Sequence, residues 1–258
     1  RGYLTNLSTL ADTGAGEVLW RVSPASNPQQ QGFVRITNLE NRSGTVTLRG
    51  VDDAGQASAG AISFTLAPFA SQQLNSQDLE AGNAAKGTTG ALGEGQGQWR
   101  LQVESALSLE MMGLVRTPDG FLTTLHEQVP DEALHWRVPM FNPASNVNQV
   151  SVLRVVNPNA QSAVVSIQAV DDAGRPAPGG SLTLTVPARS AVELDAVELE
   201  SGAPGKGLAG ALGAGTGKWR LSLDAALPLA VMSLLRDPEG YLTNLSSGTQ
   251  EETTRLEP

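Results

Sequence analysis

The chain has 258 residues, with 26 acidic against 17 basic side chains, a net charge of −9, two His and no Cys. Its three Lys (Lys86, Lys206, Lys218) provide no basic cluster of the kind that grips nucleic-acid phosphates. Thiol chemistry is absent, and no apolar run approaches the ~18 residues of a helical membrane span.

Taken in chain order, Arg1 without a signal peptide reads as the start of a processed or excised chain, and residues 255–258 as partly foreign in origin. Alternating apolar runs bounded by Gly, Pro, Asn and Asp predict strands near 17–23, 32–38, 44–51, 61–66, 69–74, 97–104, 108–116 and 120–125. Thr45-Val46-Thr47-Leu48-Arg49 shows the two-residue period, and so does Ser181-Leu182-Thr183-Leu184-Thr185-Val186 further on. Between the fifth and sixth strands, Asn75-Ser76-Gln77-Asp78 places a cap three positions before a carboxylate, which predicts one helical turn closed by a capping box. Residues 127–133, with Pro130 and three acidic side chains, read as an exposed junction. The same order of elements then begins again.

That recurrence organises the whole chain. Leu79-Glu80 returns as Leu199-Glu200, Gly90-Ala91-Leu92-Gly93 as Gly210-Ala211-Leu212-Gly213, and Trp99-Arg100-Leu101 as Trp219-Arg220-Leu221, each about 120 residues later. The front halves match more loosely: Trp20-Arg21-Val22 with Trp136-Arg137-Val138, and Val51-Asp52-Asp53-Ala54-Gly55 with Val170-Asp171-Asp172-Ala173-Gly174. A period of about 120 is too long for a solenoid and suits a whole domain. The expected fold is all-β: two tandem immunoglobulin-like antiparallel β-sandwich domains, residues 1–126 and 134–248. A Gly-aromatic-Leu-Thr motif occurs three times, at Gly2-Tyr3-Leu4-Thr5, Gly120-Phe121-Leu122-Thr123 and Gly240-Tyr241-Leu242-Thr243. The second and third copies are expected to fold back as hairpins. The first, residues 2–8, is expected to pack on the first domain through Tyr3, Leu4 and Leu7.

Few residues invite chemistry. The acidic pairs Asp52-Asp53 and Asp171-Asp172 are the best metal candidates, since calcium prefers hard oxygen ligands. They also stand where a strand must turn, a place Asp and Gly take for conformational reasons, so calcium is a weak expectation and no other cofactor is expected. The Gly-rich stretches 90–97 and 210–217 lack phosphate-loop spacing: position 212 is Leu and Lys218 is followed by Trp219. Alternation puts Trp99, Leu101 and Val103 on one core-facing side, with Arg100 and Arg220 outward or at a sheet rim. His126 and His135 have no counterpart in the other half and read as isolated surface groups. No catalytic residues are expected, and the chain is read as not an enzyme. A paired-carboxylate glycosidase stays formally open, because sequence does not give the separation of two acids.

Phe141-Asn142-Pro143-Ala144-Ser145-Asn146, Arg154-Val155-Val156-Asn157-Pro158, Gly217-Lys218-Trp219-Arg220-Leu221, Met232-Ser233-Leu234-Leu235 and Gly240-Tyr241-Leu242-Thr243-Asn244-Leu245-Ser246 resemble a tandem immunoglobulin-like repeat module of Gram-negative bacterial secreted and surface proteins. The first half departs from it at Gln98, Thr124 and His126. The resemblance implies accessory β-sandwiches in an extracellular or cell-surface setting and carries over no catalytic residues. The expectation is a stalk, spacer or adhesion-type module whose partners are neighbouring domains of a parent protein, with specific glycan or protein binding as the alternative. Neither nucleic acid nor membrane insertion is expected.

Overall fold

The computed structural model describes residues 18–125, 132–246 and 250–251. The chain divides into two compact units, Arg1–Glu127 and Gln128–Pro258, and among the described residues the strand pairings are all antiparallel.

In the first unit, strands β1 (Val18–Val22), β2 (Gln31–Asn38), β3 (Gly44–Asp52), β4 (Ile62–Leu66) and β5 (Ser71–Asn75) precede helix α1 (Ser76–Ala81). A short 3-10 turn, Ala84–Lys86, leads to β6 (Thr89–Gly90), β7 (Trp99–Ser105), β8 (Leu109–Arg116) and β9 (Leu122–Thr124). One sheet runs β1-β7-β3-β4-β6 and the other β5-β2-β8-β9. The period-two pattern explains how the sheets meet. Val46 and Leu48 of β3 and Leu101 of β7 turn inward from the first sheet, and Val34, Ile36 and Met111 from the second. They belong to one core cluster, so each sheet buries the apolar face of the other.

The second unit consists of β10 (Ala133–Phe141), β11 (Val150–Val156), β12 (Ala163–Asp171), β13 (Leu182–Val186), β14 (Ala191–Asp195), α2 (Ala196–Ser201), β15 (Leu208–Ala209), β16 (Trp219–Arg236), β17 (Leu242–Asn244) and β18 (Gln250–Glu251). Its pairings retrace those of the first unit. The front of β16 lies between β10 and β12, as β7 lies between β1 and β3. The back of β16 lies between β11 and β17, as β8 lies between β2 and β9. β16 therefore serves both edges of the core as one strand of 18 residues, where the first unit interrupts it at 106–108. Asp52↔Trp99 and Asp171↔Trp219 are equivalent ladder positions.

Both helices are closed by capping boxes, as the spacing predicts. Asn75 and Asp78 exchange side chain-to-backbone bonds at 2.9 Å, and Asp195 and Glu198 do the same at 3.0 and 2.9 Å. The second and third tail motifs fold back through turns in which Gly120 N–H donates to Thr117 O and Gly240 N–H to Asp237 O. The turn entering β5 holds Phe69 at φ 55°, and its counterpart Arg189 lies at φ 58°.

Two expectations change. The Trp-Arg-Val match is out of register: Leu19 faces Leu101 and Val138 faces Leu221, so the ladders equate Leu19 with Val138. Trp136 is buried, with Nε1 donating to Ala133 O and Leu229 O, while Trp20 is half-buried. Ala133, read as the end of the junction, instead opens β10 and is buried. Residues 2–8, His126 and the rest of the junction up to 131 lie outside the described residues.

Candidate functional site

The aspartate pairs sit where β3 and β12 run into the turn before the next strand. In the first unit, Asp52 Oδ1 accepts from Gln56 N–H at 2.8 Å and Oδ2 from Gln96 N–H at 2.9 Å, while Asp53 Oδ2 accepts from Gln98 N–H at 2.8 Å. In the second, Asp171 Oδ1 accepts from the N–H of Ala173 and Arg175, and Oδ2 from Thr216 N–H and Arg175 Nη2, all at 2.9 to 3.0 Å. Asp172 Oδ2 accepts from Lys218 N–H at 2.8 Å. Each pair thus clasps a Gly-rich loop to a turn. In the Gly-rich stretches, which the phosphate-loop idea would aim at a ligand, the Gln96 and Thr216 N–H groups point at these carboxylates, and those of Leu92, Gly93, Leu212 and Gly213 donate to carbonyls of Leu79, Glu80, Leu199 and Glu200. Bonds from the Arg175 backbone outweigh the opposing effect of burial and, with Thr216 and the Arg175 guanidinium, hold the Asp171 carboxyl down at about 2. A calcium ion at either pair would compete with these N–H donors. Among the described residues, no group of three or more His, Cys, Asp or Glu converges on a common point.

Beside each clasp lies a second repeated constellation. Trp99 and Trp219 point into their cores, as alternation predicts, and are buried. Each indole reaches one carboxylate: Trp99 Nε1 donates to Glu80 Oε1 at 2.9 Å, and Trp219 Nε1 to Glu200 Oε1 at 2.8 Å. The same oxygens accept Ala25 N–H and Ala144 N–H, both at 3.1 Å, which ties the helix to the loop after the first strand. Gly95 and Gly215 cover the rings so closely that a Cβ at either would come within 2.4 Å of an indole carbon. Arg100 is half-buried and Arg220 exposed. Glu80 and Glu200 were visible in the sequence only as matched letters. Their signal was the recurrence of Leu-Glu together with a tryptophan that needs an acceptor once buried.

In the first unit a cleft of about 390 Å³ opens over this constellation, lined by Ser26, Gln77, Glu80, Glu94 and Gly95 among others. Two carboxylates, Glu80 and Glu94, border this cleft, and Ala214 stands at the position of Glu94 in the second unit. His135, half-exposed on β10, lies with Nδ1 2.7 Å from Asp224 Oδ1 on the outer face of its sheet.

No family model and no curated protein matches the chain. Among solved structures it is similar to the PBSX exported protein XepA, at 11% identity over 86% of this chain and 85% of that one, with a TM-score of 0.24. An anti-sigma factor domain-containing protein is 10% identical over 89% of this chain and 81% of its own, with a TM-score of 0.19. An α-L-rhamnosidase of Streptomyces avermitilis is 10% identical over 92% of this chain but 28% of its own, with a TM-score of 0.18. Likenesses at this level carry no argument about function.

Proposed function

We propose that the chain is a tandem pair of immunoglobulin-like β-sandwiches acting as a non-catalytic extracellular accessory module: a stalk, spacer or adhesion-type element of a larger secreted or surface protein. The observation that carries this reading is that the acids repeated in the two units are occupied by the fold in both. The aspartate pairs hold Gly-rich loops, and the glutamates hold a buried indole and a backbone N–H. Each unit packs antiparallel strands around its own core, as two sheets in the first and as one nine-stranded sheet joined through β16 in the second, which suits a repeating spacer. Specific binding is the second reading, favoured by the cleft of the first unit that Glu80 and Glu94 border.

The test has two arms. Intact producing cells are treated with a membrane-impermeant amine reagent, and the purified full chain is assayed against polysaccharide and peptide substrates. Surface labelling without turnover is the expected result. Labelling only after lysis overturns the extracellular assignment, and turnover that disappears in Glu80→Gln overturns the non-catalytic one.

A further inference from the structure

A second cleft of the first unit, about 290 Å³, lies between the β1–β2 loop, the start of α1 and the turn after β8. Its walls include Pro24, Asn27, Gln31, Gln77, Arg116 and Pro118. Among the described residues that line it, Arg116 carries the one charge, and no carboxylate is present, in a chain whose net charge is −9.

Arg116 is held in place from two sides. Its Nη2 donates to Gln31 Oε1 at 2.7 Å, and its guanidinium carbon sits 5.2 Å from the centroid of the Phe33 ring. A guanidinium has five N–H donors in a fixed fork, so the bond to Gln31 leaves this exposed group able to meet an incoming oxyanion. The Asn27 side-chain oxygen is occupied by the N–H groups of Gln29 and Gln30, which fixes the loop.

Ladder and helix positions identify the corresponding place in the second unit. Gln31↔Arg116 corresponds to Val150↔Arg236, Gln77 of α1 to Val197 of α2, and Pro28 to Val147. The arginine is retained while Gln31 and Gln77 become Val150 and Val197, the latter 53% exposed, and Asn27 and Gln30 persist as Asn146 and Gln149 with the same loop bond. The fold does not require amides at positions 31 and 77, so their presence in the first unit calls for another reason.

We propose that this cleft binds an acidic saccharide through the carboxylate of a uronate ring. Arg116 pairs with the carboxylate, the amides of Gln31 and Gln77 bond ring hydroxyls, and the proline rings pack against pyranose C–H faces. The volume is near the lower end of ligand clefts, ~300 Å³, which suits a terminal ring better than the middle of a long chain. This goes beyond the accessory role and does not depend on it.

The experiment is an amide-resolved NMR titration of the full chain with galacturonic acid, trigalacturonate, neutral galactose and a short peptide with a free C-terminal carboxylate. Shifts confined to 24–31, 76–77 and 116–118 with both acidic sugars are expected, with no response to galactose. Shifts with galacturonic acid place the recognition in a single ring, and shifts only with trigalacturonate place it in a polysaccharide end. Arg116→Gln is expected to weaken binding at least about tenfold, the scale of losing a charge-assisted contact. Gln77→Val, which installs the second unit's residue and so leaves folding intact, is expected to weaken it about threefold or more. No shifts in the cleft, an equal response to galactose, tighter binding of the peptide, or unchanged affinity in Arg116→Gln would each overturn the proposal.

Discussion

The indole N–H of Trp219 donates to Glu200 at 2.8 Å, and the carboxylate oxygen that receives it also caps Ala144 N–H. Removing the acceptor strands two donors at once. Glu200→Ala is expected to destabilise the second unit by about 1–3 kcal/mol, and Glu200→Gln, which keeps a carbonyl oxygen, by less. Trp219→Ala, which empties the core site itself, should cost about 3–5 kcal/mol. Urea unfolding followed at this unit separates the three.

The glycines covering the indoles make a paired prediction. At Gly95 and Gly215 an added methyl meets a buried ring, so Gly95→Ala and Gly215→Ala should each lose about 1–3 kcal/mol to overpacking. Gly205 has open space around it and Ala85 as its counterpart in the first unit. Gly205→Ala should therefore gain about 0.4–1 kcal/mol through the unfolded chain. Thermal melting of the three variants checks both signs.

Acid should act on the second unit through Asp171. Its carboxyl falls from 3.8 to about 2 on folding, so its stabilising bonds are fully present above 3.8 and are lost as pH falls towards 2. Asp171→Asn lacks that carboxylate at every pH. The Tm gap between the native chain and this variant should be constant at neutral pH and should close on acidification through that window. A gap that stays constant down to pH ~2 would contradict the assignment.

Phe69 and Arg189 occupy left-handed backbone conformations that asparagine and glycine adopt more readily. Phe69 is 64% exposed and contributes little to the core. Phe69→Asn and Arg189→Asn are each expected to raise stability, by up to about 1 kcal/mol. The measurement is the unfolding midpoint in urea.

Strands and caps were legible because their signals are local. Alternation in β3 and β13, and the Asn75…Asp78 and Asp195…Glu198 spacings, each specify structure within a few residues. Register was not local. Three matching letters paired Trp20 with Trp136, but the residues that fix the ladder, Leu101 and Leu221, lie far along the chain. The role of the acids was hidden for the same reason. Asp-Asp-Ala-Gly announces a turn, while the N–H groups it binds at Gln96 and Thr216 belong to a loop more than forty residues away. The two-residue strands β6 and β15 carry no alternation to read.

The uninterrupted β16 has a consequence for how the two units open. Backbone protection in the second unit depends on one strand whose front and back serve different sheets, so releasing either end strains the bonds of the other. The amides of β10, β11 and β12 should therefore exchange with solvent deuterium at a common rate, as one cooperative block. In the first unit the break at 106–108 separates β7 from β8. There the ladder β5-β2-β8-β9 should exchange at a rate of its own, different from that of β1-β7-β3-β4, although the core the two sheets share keeps their global unfolding a single event.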